Sequence, residues 1–466
     1  MFLMCEQHRK QRKMLNPVFS LANMRELLPV IQPIATKLFS VLLEQLPTDG
    51  GSKEIDLLPW MARGTLEYIC QAGMGYTFHA LEPSKTNEYA DAIRRLAPAA
   101  LRILLLRPFV PMVMRNFSLY WRNKMVDWLP IKPLRDLRDI VAVMDRGSRR
   151  IFAEKRAAMH HGREATSEDD LGSRMKGKDI MSIMLRANAS SDSADRLTDE
   201  ELLGQMNTLI LAGFETTTTA ICRMLYILAR EPAVQARLRR EIRQAKRDYA
   251  VAQGITFTDE SEEWKKVSLP YDILVGLPYL DAVLRETLRD TTLPLQFPVR
   301  SVSGAEVSAI AVPKNTTVIM SILAANHNKE AWGEDASVWR PERWLSASGE
   351  RIGFGKDADT ILGEDAELAH VVEGTPGNKG GVKYPGVYAS IGFKFAEMEM
   401  KQILTTLLSS MHFSLPSAAD ENGVKKEIYW KMNGLQVPVV RPPHGDFMTA
   451  QVPLDVRLVR EDDFLT

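Results

Sequence analysis

Apolar residues recur at intervals of three and four through the first 250 positions, where glycine is sparse, and this period predicts helix. Thr198-Asp199-Glu200-Glu201 reads as a capping box, with the Thr hydroxyl facing the third amide of a helix and Glu201 reaching back. The helix it opens continues through Leu209-Ile210-Leu211-Ala212 to Glu231-Pro232, where proline ends it or starts the next. About 30 residues at about 1.5 Å each span about 45 Å, enough to cross the centre of a large domain. Further helices are expected over 232–249, 277–290 and 391–410. Residues 162–200, with Ser167-Glu168-Asp169-Asp170 and Ser190-Ser191-Asp192-Ser193, read as a polar loop. Residues 102–128 are rich in Leu, Phe, Val, Met and Trp. They are expected to pack in the core, the alternative being a surface for lipid or an apolar ligand.

The character changes after Arg300. Val302, Val307, Ile310, Val312, Thr316, Thr317, Val318 and Ile319 predict strands around a Pro313-Lys314-Asn315 turn. Residues 345–387 read as Gly-rich coil, and Tyr429-Trp430 with Val437 to Val440 as short strands. The class is mainly α with a smaller β part.

Composition narrows the picture modestly. At 466 residues, 45% hydrophobic and 25% charged, the chain can bury a large core. Basic and acidic residues number 59 each, which gives no bulk attraction for nucleic acid. Cys5, Cys70 and Cys222 have no metal-ligand spacing and imply no disulfide framework. No run reaches about 18 consecutive apolar residues, and Met1 to Cys5 is short for a signal segment, so a soluble or peripheral protein is expected.

Two stretches carry candidate chemistry. In Ala212-Gly213-Phe214-Glu215-Thr216-Thr217, glycine and β-branched threonines are poor helix material inside an apolar helix. The stretch reads either as a Thr-rich packing kink or as an opened backbone where a flat ligand approaches Gly213, Thr216 turns its hydroxyl inward and Glu215 feeds protons. Glu286 and Arg289 share a helical face at i,i+3, and Arg343 in Trp339-Arg340-Pro341-Glu342-Arg343-Trp344 is placed to join them.

The order of these pieces, followed by Ile391-Gly392-Phe393-Lys394-Phe395-Ala396-Glu397-Met398-Glu399-Met400-Lys401, resembles the cytochrome P450 family, most closely its fungal microsomal-type members. His8-Arg9-Lys10-Gln11-Arg12-Lys13 with Pro17-Val18-Phe19 is similar to the family's C helix, with His8 at the tryptophan position and Arg12 at the arginine position that contact haem propionates. Gln71 to Phe78 is similar to the end of its E helix. The resemblance implies an incomplete P450 fold: one domain over 1–466 without the anchor and first helices that precede the family's C helix. It implies haem as cofactor, with His8, Arg12, Ala212, Gly213, Arg300 and Gly392 around it. Glu215 and Thr216 would manage proton delivery, and Glu286, Arg289 and Arg343 would lock the fold. Pro294 to Phe297, Phe214 and Asn433-Gly434-Leu435 would line the pocket. It further implies a monomer that hydroxylates a small apolar substrate with O2 and electrons from NADPH-cytochrome P450 reductase, at the endoplasmic reticulum membrane.

The sequence departs from the family at its centre. The family holds iron through a cysteine thiolate; here Ser390 stands at that position, and Lys383-Tyr384-Pro385-Gly386-Val387-Tyr388-Ala389 precedes it with several loop residues deleted. A serine hydroxyl does not ionise as a thiol does and is a weak iron donor. Two expectations follow: an enzyme of this family, or a non-catalytic remnant without thiolate-ligated haem.

Overall fold

The computed structural model describes residues 10–82, 88–103, 106, 109–160, 177–190, 196–255, 262–289, 299–300, 306–307, 327, 329–346, 348–350, 391–433, 435–446 and 449–464. In chain order the elements begin with helix α1 (Leu21–Leu43), strand β1 (Lys53–Asp56), α2 (Leu58–Met74), α3 (Glu88–Arg102), α4 (Val110–Asn116), α5 (Leu119–Trp128) and α6 (Lys132–His160). Next come α7 (Ile180–Ser190), α8 (Asp199–Arg230), α9 (Pro232–Ala252), α10 (Tyr271–Gly276), α11 (Pro278–Arg289), β2 (Val299–Arg300), β3 (Glu306–Val307) and α12 (Lys329–Trp332). The chain closes with α13 (Phe393–Ser410), β4 (Met411–Ser414), β5 (Ile428–Asn433), β6 (Leu435–Val440) and β7 (Pro453–Leu458). The class is mainly α with some β, as the sequence pattern predicts. Contacts divide the chain into two compact units, Met1–Val41 with Ala62–Thr216, and Leu42–Met61 with Thr217–Thr466.

The first unit is helical. Among the described residues, α1 alone is long and apolar enough to cross a membrane, but Met24, Leu27, Leu28, Ile31 and Leu38 on it are buried. It behaves as a core helix: a Cβ on Gly64 of α2 would lie 3.1 Å from Leu38 Cδ2. The close packing of α3 on α6 also needs a glycine, because a Cβ on Gly147 would come within 2.5 Å of the Tyr89 ring. The Tyr89 hydroxyl meets Ser148 Oγ at 3.0 Å and donates to Asn207 Oδ1 at 3.1 Å, which ties α3, α6 and α8 together. After α2 the chain turns at Gly75, whose φ is +59°, where a side chain would strike Lys155 Nζ and the Asp179 carboxylate. Asp179, fully buried, accepts from Lys155 Nζ at 2.7 Å and from the amide of Ser182 at 3.0 Å. The capping box at the start of α8 forms as read: Thr198 N donates to Glu201 Oε2 at 2.7 Å and Glu201 N to Thr198 Oγ1 at 3.3 Å.

Two expectations fail in this unit. The polar connection 162–200 contains α7, whose Ile180, Met181, Met184 and Leu185 are buried. Its polar flanks dominate the composition and hide one apolar helical face. The apolar stretch 102–128 is not core. Phe109, Met112, Met114, Tyr120, Trp121 and Trp128 are exposed, Trp128 by 71%. Helices of seven and ten residues, α4 and α5, are too short to bury both faces.

The second unit holds the sheets. β1, β7 and β4 form an antiparallel sheet in that order, with Ile55 opposite Leu454 and Phe413 opposite Val456. β1 was not expected from a region read as helix; Lys53-Glu54-Ile55-Asp56 has one apolar residue, and its pairing with β7 supplies what the local pattern lacks. β5 and β6 form a hairpin in register from Ile428–Val440 to Asn433–Leu435. β2 and β3 pair Val299 with Val307 and Arg300 with Glu306; the remainder of the strand region expected over 300–322 lies outside the described residues, as does most of the coil 345–387.

Helix α9, rich in basic residues, buries two of its cations. Arg239, wholly buried, donates to the carbonyls of Leu408, Asp463 and Met411 and to Gln235 Oε1, at 2.9–3.2 Å. Burial lowers its guanidinium to about 10. Lys246 donates to the Lys265 carbonyl at 2.9 Å, and burial lowers its ammonium to about 7. An unfolded Lys246 titrates at the ordinary lysine value, so between about pH 7 and that value the unfolded chain holds the extra proton. Stability therefore rises with pH across that window, and the full cost of the buried charge applies below about pH 7. Urea midpoints compared at about pH 6 and about pH 10 will show a rise in the parent chain that is smaller in Lys246→Met, with the variant the more stable at the lower pH.

Candidate functional site

On α8 the sequence places Ala212 and Thr216 on one exposed face, one turn apart, with Glu215 half-buried beside them and Phe214 buried. The helix is unbroken through the glycine and threonines. The Thr216 hydroxyl donates to the Ala212 carbonyl at 2.6 Å. Back-bonding of this kind occupies a threonine hydroxyl without interrupting a helix, so neither the kink nor the opened backbone that the sequence offers breaks the helix here. Gly213 serves packing: a Cβ there would lie 2.9 Å from Ile69 Cδ1 of α2. Burial raises the Glu215 carboxyl above the ordinary glutamate value, which holds a proton available closer to neutrality. Residues 10–15 are helical, and Arg12 on that turn is exposed; His8 lies outside the described residues.

In the second unit, Glu286 of α11 is wholly buried. Its Oε1 accepts from Arg343 Nε at 3.0 Å and from the amide of Arg340 at 2.9 Å; its Oε2 accepts from the Trp344 indole at 2.8 Å. Arg343 spends its remaining donors on the carbonyls of Trp332, Asp335 and Val338, at 3.0–3.3 Å, and on the Asp335 carboxylate at 3.4 Å. Pro341 starts the single 3-10 turn that aims Arg343 and Trp344 at α11. The side chain of Arg289 lies outside the described residues. Glu241 of α9 accepts the amides of Tyr279 and Leu280 at 2.7 and 2.8 Å, satisfying free N–H groups at the start of α11.

A second charge cluster, not anticipated from the sequence, joins α11 to α13. Lys401, wholly buried, gives its three protons to the Val275 carbonyl, Asp281 Oδ1 and Glu397 Oε1, at 2.7–2.8 Å. Asp281 also pairs with Arg285 at 2.7 Å. The i,i+4 spacings Asp281–Arg285 and Glu397–Lys401 were the available signal. Glu399 lies between them in sequence on α13. Neither of its oxygens has a hydrogen-bond partner among the described residues, and burial pushes its carboxyl well above the usual range. Gly392 caps the start of α13. Ser390 and Pro294 to Phe297 lie outside the described residues; Arg300 and Asn433 are placed only as strand backbone.

The donor set decides whether haem iron could be held as the resemblance implies. Both described thiols, Cys70 and Cys222, are wholly buried, and burial pushes both upward, so they are neutral. Each is enclosed by the core of its helix rather than presented from a loop. Serine occupies position 390. The described residues therefore do not fit thiolate ligation of iron.

A mainly helical chain, with Glu286 and Arg343 locked together and an acid–threonine pair on a long helix, agrees with the motif order read from the sequence. The Cytochrome P450 family model matches residues 1–359. The chain is 39% identical over 449 residues to cytochrome P450 monooxygenase 91 of Postia placenta, covering 93% of this chain and 74% of that protein. It is 37% identical to cytochrome P450 monooxygenase 81 of the same fungus, covering 98% and 77%. It is 36% identical to the ganoderic acid synthetase CYP5150L8 of Ganoderma lucidum, covering 93% and 74%. The chain belongs to the cytochrome P450 family.

Removing the carboxylate from Glu286 leaves the buried Arg343 with only its longer ion pair to Asp335, at 3.4 Å. Glu286→Ala is expected to cost about 3–5 kcal/mol, read as a lower urea midpoint with an unchanged slope.

Proposed function

We propose that this chain carries the architecture of a haem-dependent monooxygenase for a small apolar organic substrate, one that draws on O2 and on electrons from NADPH-cytochrome P450 reductase. Its residues would form a single family domain acting as a monomer. The names of its relatives and the Glu215–Thr216 pair support this reading. Thr216 is exposed on α8, and Glu215 holds its proton more tightly than an ordinary glutamate. By the resemblance, Arg12, Ala212, Gly213, Arg300 and Gly392 are the residues that would hold haem. By the resemblance, substrate contact is assigned to Phe214 on its helix.

One observation favours a second reading for the chain as it stands. Ser390 stands where the resemblance implies the ligating cysteine, and the described cysteines are neutral and enclosed. On that reading the protein is a fold-bearing, non-catalytic member of the family, without thiolate-ligated haem, and this is the state we assign to it. Reducing the expressed chain under carbon monoxide separates the two. The expected spectrum lacks the red-shifted Soret band of thiolate ligation; a thiolate-type band would restore the catalytic reading. Sequencing the transcript across Gly386 to Gly392 is expected to return serine at 390; a cysteine there would make the catalytic reading the correct one.

We also infer peripheral attachment to the endoplasmic reticulum membrane through α4 and α5. Tyr120, Trp121 and Trp128 are side chains suited to a membrane–water interface, and Arg115, Arg122 and Lys124 lie among them to meet anionic headgroups. In flotation with vesicles of phosphatidylcholine and phosphatidylserine, Trp121→Ser with Trp128→Ser is expected to lose bound protein relative to the parent. Equal flotation would overturn the assignment, since both side chains are exposed and the substitutions leave the core intact.

A further inference from the structure

The first unit contains a hollow with no polar lining, bounded by α2, α7 and α8 and with room for one molecule of about the size of water. Ile69, Gly73 and Met74 face it from α2, Met181 and Met184 from α7, and Met206 from α8. All of them are buried. Nothing there offers a hydrogen bond, so water gains no partner by entering.

Gly73 singles the hollow out. It sits one residue from the end of α2, where glycine weakens a helix relative to alanine. Its φ is negative, and a Cβ built on it meets only Ile69 Cδ1, at 4.0 Å. The other helical glycines of this unit that pack against a neighbour, Gly64, Gly147 and Gly213, would each bring a Cβ to 3.1 Å or closer. Those three are required by sterics and Gly73 is not. Its missing methyl keeps the hollow open. Four methionines around it, on three helices, supply flexible thioether walls that shift rotamer without breaking a hydrogen bond.

We propose that this hollow is a binding site for a small apolar gas, dioxygen, held between α2, α7 and α8. The choice of dioxygen rests on the family's use of O2; the existence of the site does not. Dioxygen matches the hollow in size and needs no hydrogen bond. The hollow lies against the same helix that carries Glu215 and Thr216, one to three turns nearer its N-terminus. Binding involves no bond making and no electron transfer.

The test uses the paramagnetism of O2 on the full chain carrying methionine labelled with 13C at its ε-methyl. Under oxygen pressure, the methyls of Met74, Met181, Met184 and Met206 are expected to relax faster than those of Met224 and Met398, which are equally buried elsewhere. Gly73→Ala, which fills the hollow at a helix-favouring position, is expected to remove the difference while leaving the circular dichroism of the parent. Gly73→Val serves as a second, larger plug. Equal relaxation at all six methyls would overturn the proposal, as would an enhancement that persists in both Gly73 variants. Because the readout needs no haem, its failure is distinct from the absence of a thiolate Soret band.

Discussion

A carboxylate and a guanidinium without access to water hold each other in the C-terminal half of this protein. Glu286 and Arg343 are each tied by further hydrogen bonds, so neither can leave without stranding the other. The pair need not stabilise the fold relative to an apolar substitute. Its effect is selective: the 3-10 turn at Pro341–Trp344 has one docking position against α11, because only there do the Arg343 donors and the Trp344 indole all find acceptors. The edge-on contact of Trp332 with Trp344, at 5.8 Å, then seals the site from solvent. Lys401 repeats the device one step along, fixing α13 to α11 through Asp281 and to α10 through the Val275 carbonyl. The helix that follows Ser390 is thus held by buried charge whatever occupies the position before it.

The parts of this architecture legible in the sequence are those with a local cause. The cap at Thr198, the proline at 232 and the apolar period of α8 each specify an element from neighbouring residues, and these elements form at those positions. What escaped depends on distant partners. β1 is a strand because β7 lies beside it, hundreds of residues later. The burial of Arg239 and Lys246 depends on carbonyls of α13, the terminal turn and the segment at Lys265; a basic helix shows none of this in its own composition. The exposed face of α4 and α5 was misread for the converse reason. Apolar composition records an aversion to water, but not whether protein or something else relieves it.

At the candidate site the same division holds. The pairing of Glu286 with Arg343 required only that two motifs be near in the fold, which motif order implied. The role of Gly213 did not follow from its neighbours. Its vacancy is taken by Ile69 across the helix interface, so the glycine brings α2 and α8 together. Thr216 likewise turns its hydroxyl to its own helix. A hydroxyl so engaged is still able to accept a proton-bearing partner, since its oxygen retains lone pairs. The neighbouring Glu215, with its raised pKa, remains a group that could supply such a proton.

A buried charge network and a loop residue weigh differently on folding. Replacing a residue in a buried charge network penalises folding of every copy of the protein, because an unpaired charge is costly wherever it occurs. Replacing a cysteine that projects from a loop penalises only the chemistry performed through it. The burial of Glu286, Arg343 and Lys401 therefore bears on folding independently of the residue at 390. Gly73 stands outside that logic, since alanine there would favour the helix without a clash. The glycine beside this apolar hollow is therefore not required by steric contact.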